Sequence, residues 1–229
     1  CAEGQRIFLM ITALLVDFNG TLVHEDGPYA DLALDRICAA GTEKDRKKVF
    51  DFWWDTFDRY TEDANTGVFR NQTVLLTEAF RDTAAHFSAG VDADELAGLI
   101  EEQWRAPVLF PDSGRFLKKV SLPYYIITNG DDRVISIAVN SLGITPAGII
   151  TSESAGAYKP DRRIFEMALD VMGERPERVC MMGDSLRKDY LAARDMGMSA
   201  CLIDRDGKYS GEAGACPGLD VALEKIILK

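Results

Sequence analysis

Apolar residues recur along this chain in two rhythms. One is a set of short apolar runs, Ile11 to Val16, Tyr124 to Ile127, Gly148 to Ile150, Val179 to Met182 and Ala200 to Ile203. Short apolar runs of that length predict buried strands, and the first, ending at Asp17 ahead of Gly20, reads as feeding a functional loop. The other rhythm is helical. Val134, Ile135, Ala138, Val139 and Leu142 share one face, as do Ile164, Phe165, Ala168, Leu169 and Met172 just after Pro160, and a further helix is predicted through Leu191 to Met196. From Gly114 onward the two rhythms alternate, and repeated strand-then-helix order predicts a parallel sheet with helices on both faces. The fold class expected is α/β, a doubly wound parallel sheet.

Between the first and second runs only the helical rhythm is present. Tyr29, Leu32, Ala33, Ile37 and Ala40 form one stripe, and Phe50, Trp53, Phe57 and Tyr60 another. Leu76, Phe80, Ala84 and Phe87 make a third; Leu96, Leu99, Ile100 and Trp104 follow an acidic start at Asp92 and Asp94. These helices have mostly one another to pack against. We therefore expect a helical module over 24–112, hinged near Val23 to Asp26 and Phe110 to Gly114, inserted into a core made of 1–23 and 113–229. The aromatic stripes admit two readings, helix-helix core or substrate pocket. Asp204 to Gly218, rich in Gly and charge, reads as a loop before a final helix ending in Lys229.

Composition narrows the function classes. A chain of 229 residues has room for one large domain or a core with an inserted module. No apolar run is long enough to span a bilayer, so no membrane span is expected. The net charge of −11 argues against a nucleic-acid partner, which would require a cationic surface to displace counterions. An anionic substrate would need local lysines and a metal to overcome that field. The five cysteines are odd in number, scattered and free of any Cys-x-x-Cys pair, which speaks against a disulfide framework or zinc site and fits a reducing cytoplasm. Cys180 and Cys201 read as small core residues. No secretory signal is visible. Met10 reads as a natural start with Cys1 to Leu9 as an upstream extension, while a chain beginning at Cys1 leaves a processed lipoprotein open.

Candidate chemistry lies at or near the ends of the buried runs, in four sets: Asp17-Phe18-Asn19-Gly20-Thr21, Thr128-Asn129, Lys159-Pro160, and Gly183-Asp184-Ser185 with Asp189. A parallel sheet could deliver them to one edge, where open α/β sheets keep their sites. Taken singly, Asp17 reads as a turn or cap residue, Thr128 as a strand-end cap, Lys159 as a solvated lysine and Asp189 as a first-turn acid. Taken together they could surround one phosphoryl group. Asp17 could be a nucleophile beside a Gly20-Thr21 loop whose amides approach an anion. Asp17, Asp184 and Asp189 are the hard oxygen ligands Mg²⁺ prefers. Lys159 adds a point charge, and Thr128 and Asn129 add hydroxyl and amide donors.

This order and placement resembles the haloacid dehalogenase superfamily, whose members mostly transfer phosphoryl groups. Asp17-Phe18-Asn19-Gly20-Thr21 looks like its first motif, Thr128-Asn129 its second, Lys159 its third, and Gly183-Asp184-Ser185 through Asp189 its fourth. The resemblance implies a Rossmann-like core with the helical insert as a C1 cap. It also implies that Asp17 attacks phosphorus to form an aspartyl-phosphate that water hydrolyses, with Thr128 and Lys159 holding the transferring group. Gly20 and Asn129 join the substrate contacts, and Mg²⁺ is implied on Asp17, the backbone carbonyl of Asn19, and Asp184, supported by Asp189.

The departure is Asn19. Phosphatases of this superfamily commonly carry Asp there as general acid and then base, and a carboxamide cannot shuttle that proton. Three explanations stand open: a natural Asn with another group or water carrying the proton, an engineered trapping substitution, or an altered activity. The leading expectation is a Mg²⁺-dependent phosphatase acting on a small phosphorylated metabolite. The alternatives are a 2-haloacid dehalogenase, which needs neither metal nor an acid at position 19, and a phosphate-binding protein with attenuated turnover; a mutase is handicapped more directly by Asn19. His24 and Asp26, near the first hinge, could reach the site or sit on a surface loop.

Overall fold

A computed structural model describes residues 10–212 and 214–227. The readings of Cys1 to Leu9 and of a helix end at Lys229 fall outside these residues. Six parallel strands form one sheet in the order β3-β2-β1-β4-β5-β6: β1 Ala13–Asp17, β2 Tyr124–Thr128, β3 Gly148–Thr151, β4 Val179–Gly183, β5 Ser199–Ile203 and β6 Ala215–Cys216. The strand β1 is buried along its whole length, and its side chains alternate between two cores. Leu14 and Val16 face a layer built from α5 (Pro111–Lys119), α6 (Asp132–Leu142) and α10 (Leu219–Ile227), through Phe116, Ile135 and Leu223. Leu15 faces the opposite layer, where α8 (Arg162–Met172) and α9 (Ala192–Asp195) contribute Phe165 and Ala193. Period-two alternation with both faces covered is why the strand sequence is continuously apolar.

The chain winds from β1 toward β3 on one side and from β4 toward β6 on the other. The crevice between β1 and its neighbours is therefore the point where strand order reverses, the usual ligand position in such sheets. Register brings the strand ends level: Asp17 pairs with Ile127, Val16 with Met182, and Thr128 with Thr151. A four-residue helix, α7 (Ser152–Ala155), follows β3 under a Thr151 capping box.

Four helices separate β1 from β2: α1 Pro28–Ala40, α2 Arg46–Ala64, α3 Gln72–His86 and α4 Ala93–Arg105. They share a core centred on Ile37, Trp53, Leu76, Phe80 and Ile100, which Val134 of α6 and Tyr158 join from outside the bundle. The chain enters and leaves this bundle through a narrow ribbon. Val23 bridges Leu109 antiparallel, the His24 amide donates to the Val108 carbonyl, and the Phe110 amide donates to the Leu22 carbonyl.

Several local readings are corrected. The buried stripe of α1 is Ala33, Leu34, Ile37 and Cys38, whereas Tyr29 and Leu32 are exposed; large apolar side chains misled the phase. Phe50 is likewise exposed beside buried Val49 and Trp53. Helix α5 occupies what reads as a hinge and begins at Pro111, the favoured first helical position. The loop over 204–218 contains the two-residue β6, too short to leave a periodic signal. Among the described residues no helix is long and apolar enough to cross a membrane.

Candidate active site

All four sequence-selected sets meet at one cavity of about 520 Å³, lined by Asp17, Asn19, Gly20, Thr128, Asn129 and Lys159 together with Asp184 and Asp189. The sheet delivers them, as β1, β2 and β4 end beside one another. From the helical bundle Trp54, Phe57 and Thr61 of α2 close the far side. Phe57 thus belongs to both readings of its stripe, since it also packs in the bundle core.

At the centre lies Lys159, almost fully buried, whose Nζ donates to Asp17 Oδ1 at 2.6 Å and to Asp189 Oδ1 at 2.7 Å. Burial alone would lower its ammonium pKa, but the charges of Asp17 and Asp189 and their hydrogen bonds raise it above the ordinary lysine value. Asn129 fixes the lysine by its main chain: its Oδ1 accepts from the Lys159 amide at 2.7 Å, and its Nδ2 donates to the Lys159 carbonyl at 3.3 Å. Positioning Lys159 is therefore a task of Asn129 in its own right. Thr128, also buried, accepts from the Gly130 amide.

Thr21 ties the first strand end to the fourth. Its Oγ1 lies 3.1 Å from Asp17 Oδ2 and 2.8 Å from Asp184 Oδ1, and accepts from the Asp184 amide at 3.0 Å. Gly20 has φ +78, and a Cβ there would stand 2.7 Å from Asp184 Oδ2. Any side chain at position 20 would push into the space the carboxylates surround.

Carboxyl oxygens of Asp17, Asp184 and Asp189 lie within 4.8 Å of one another. Burial first, and then the Asp17 charge, pushes Asp184 up to about 7. Asp189 is pushed to about 7 by burial as well, with Lys159 opposing and the other carboxylates adding to it. Three carboxylates against one ammonium leave a formal excess of two negative charges, the charge of one divalent cation. The donor set is all-oxygen and suits Mg²⁺, which takes few carboxylates and fills its remaining positions with water or phosphate oxygens.

Three features were not legible in the sequence. Arg205 donates to the carbonyls of Gly20 at 2.9 Å and Thr21 at 2.7 Å while forming a two-point ion pair with Asp112. Asp131 accepts from the amides of Gln72 and Thr73, so a residue after β2 caps α3 of the bundle. Glu25 lines the cavity, whereas its neighbours do not: His24 packs tilted on Phe110 with ring centroids 3.8 Å apart, and its Nδ1 lies 3.6 Å from Asp26 Oδ1, which is the surface reading of both. The only sequence signal for Glu25 was its place in the hinge.

A family model described as hydrolase, haloacid dehalogenase-like hydrolase, matches residues 11–197. An (S)-2-haloacid dehalogenase of Pseudomonas putida is 27% identical over 221 residues, covering 92% of this chain and 93% of that one. A phosphoserine phosphatase of Thermus thermophilus is 32% identical over 134 residues, 56% of this chain and 53% of that enzyme. Among solved structures, the L-2-haloacid dehalogenase of Xanthobacter autotrophicus superposes with a TM-score of 0.78 at 19% identity, covering 96% and 99% of the two chains, a likeness of fold.

Proposed function

The chain belongs to the haloacid dehalogenase-like hydrolases, and from that premise we propose that it is a Mg²⁺-dependent phosphatase acting on a small phosphorylated metabolite. The observation that carries this reading is the buried excess of carboxylate over ammonium at the strand ends. Like charges this close in low dielectric destabilise one another beyond what the single Lys159 ammonium offsets, and a divalent cation would relieve that repulsion. Asp17, the Asn19 carbonyl and Asp184 would hold the ion, with Asp189 behind them. When bound, Mg²⁺ supplies charge neutralisation that lets an anionic nucleophile meet an anionic ester.

In this proposal Asp17, oriented by Lys159 Nζ, attacks phosphorus with a carboxylate oxygen. The bond to the leaving oxygen breaks, and an aspartyl-phosphate forms. The Lys159 ammonium, the Thr128 hydroxyl and donors of Asn129 hold the phosphoryl oxygens, consistent with the reliance of phosphoryl transfer on positioning and charge. Gly20, whose amide donates to the Val23 carbonyl at 2.9 Å, serves the substrate by leaving the space beside Asp184 open. Water then attacks the same phosphorus, releasing phosphate and restoring the carboxylate. We infer further that 24–112 serves as a cap over a core of 1–23 and 113–229. Its supports are the bundle core formed mostly by the four helices among themselves, the ribbon at Val23 and Leu109, and ion pairs from Asp58 and Glu62 of α2 to Arg187 and Lys188. Cytoplasmic residence belongs to the same proposal, supported by free Cys38, Cys180, Cys201 and Cys216.

A second reading, a 2-haloacid dehalogenase, is favoured by the Pseudomonas putida relative, whose similarity runs nearly the whole length of both chains. Asp17 would then attack carbon and displace halide, and Asn19 would be no handicap. Phosphate release from a panel of phosphorylated metabolites, with Mg²⁺ or chelator, tests the first reading. It expects metal-dependent release that Asp17→Asn abolishes; halide release from 2-haloacids indifferent to chelator would establish the second.

A further inference from the structure

With a carboxamide at position 19, the reaction proposed above lacks a proton carrier beside the leaving oxygen. We propose that Glu25 fills this role: its carboxyl donates a proton to the leaving oxygen as the phosphorus–oxygen bond breaks, and its carboxylate then takes a proton from the water that attacks the aspartyl-phosphate. Proton and charge balance over the cycle, and Glu25 ends as it began. The inference rests on the phosphatase reading of the same site.

The geometry gives Glu25 a fixed main chain and an unengaged side chain. Its carbonyl accepts from Gln103 Nε2 at 2.9 Å, and the other end of that buried carboxamide accepts from the amides of Tyr29 at 3.1 Å and Ala30 at 3.3 Å. Gly27 leaves room for this carboxamide, since a Cβ there would lie 2.7 Å from Gln103 Oε1 and displace it. One side chain of α4 thus clasps Glu25 of the linker and the first turn of α1 together. The half-buried Glu25 carboxyl, by contrast, makes no hydrogen bond or ion pair among the described residues and lines the cavity that holds Asp17 and Asn19. A group held by its backbone, with a free acid end, is pre-positioned without being neutralised.

Other acids around the cavity are committed or remote from this task. Asp58 pairs with Arg187 and Lys188, Asp204 accepts from the Tyr209 amide, and Asp206 is exposed to solvent. Asp189 is engaged by Lys159 and the Ser185 amide. The charged groups that act on Glu25 are Asp17 of β1, Lys159, Lys188, Asp26 of its own linker, and Asp184 after β4. Burial first, then Asp17, pushes its carboxyl up to about 7, where acid and base forms are both present at neutral pH.

The test compares the parent, Glu25→Gln, and Glu25→Gln with Asn19→Asp on an alkyl phosphate and an aryl phosphate in Mg²⁺. Glu25→Gln should lower alkyl phosphate turnover by about 10²- to 10⁴-fold, the range for loss of a general acid-base group. With the aryl ester, whose leaving group needs no proton, it should give a stoichiometric burst of phenol followed by slow turnover. Adding Asn19→Asp should restore alkyl phosphate turnover, a rescue that a merely misfolded variant would not show. Parent-like alkyl turnover in Glu25→Gln, or an equal loss on both esters with neither burst nor rescue, overturns the role of Glu25 while leaving the phosphatase reading intact. A parent that releases phosphate from neither ester removes the reaction itself and overturns both.

Discussion

Arg205 and Asp112 are joined by two hydrogen bonds, 3.1 Å and 2.8 Å long, and this pair buttresses the loop that follows the nucleophile strand. The same guanidinium holds the Gly20 and Thr21 carbonyls and lies over the Phe110 ring at 3.7 Å. Asp112 opens α5 and also accepts from the Leu219 amide. One ion pair therefore links the loop after β1, the exit ribbon and the start of α10. Replacing Arg205 with Leu leaves Asp112 poorly compensated, and we expect a loss on the order of 3 kcal/mol, the lower end for breaking a largely buried pair. Denaturant unfolding of parent and variant checks this. Lys in place of Arg should recover only part of it, because an ammonium cannot serve all four acceptors in the plane a guanidinium does.

The pH dependence of metal-free stability follows from Asp184 and Asp189. Both carboxyls have folded values near 7, above the ordinary aspartate value, so over that interval the folded state binds more protons than the unfolded one. Their contribution is fully present below the unfolded value and is lost as pH rises through about 7. In chelator, the unfolding midpoint should therefore fall between pH 5 and pH 8. Added Mg²⁺ should raise it more at pH 8 than at pH 5, because at low pH the ion competes with protons. Thermal scans at the two pH values, with and without metal, decide it; a metal effect equal at both would contradict it.

Asp131 caps α3 from outside its own sequence. The natural cap position, Asn71, makes no side-chain cap bond, while Asp131 takes the Gln72 and Thr73 amides at 2.7 Å and 3.0 Å. Asp131→Ala should cost about 1–2 kcal/mol in unfolding free energy, the usual size of a lost cap. Asn71→Ala should be nearly neutral. Equal costs for the two would contradict the assignment.

What could be read from the sequence follows from how each feature is encoded. Asp17, Thr128 and Asp184 were visible because each stands at the end of a continuously buried run, and parallel order carries such ends to one edge. Lys159 was visible only in their company. Glu25 and Arg205 could not be found this way: each lies in a segment without periodicity, and its place depends on a distant partner, Gln103 for one and Asp112 for the other. The phase of α1 was misread because Tyr29 and Leu32 weigh heavily in any apolar pattern, while its buried face runs through Ala33, Leu34, Ile37 and Cys38, two of them small.

The measurement that bears most directly on the proposed chemistry is the identity of the covalent adduct on Asp17. The protein would be mixed with an aryl phosphate and Mg²⁺ or with 2-chloropropionate, quenched in acid within the first turnover, and the peptide containing Asp17 examined by mass spectrometry. A phosphoryl group on Asp17, formed only with metal and absent in Asp17→Asn, is the predicted result. An alkyl ester on Asp17 from the haloacid, with no phosphoryl adduct under any condition, would contradict it.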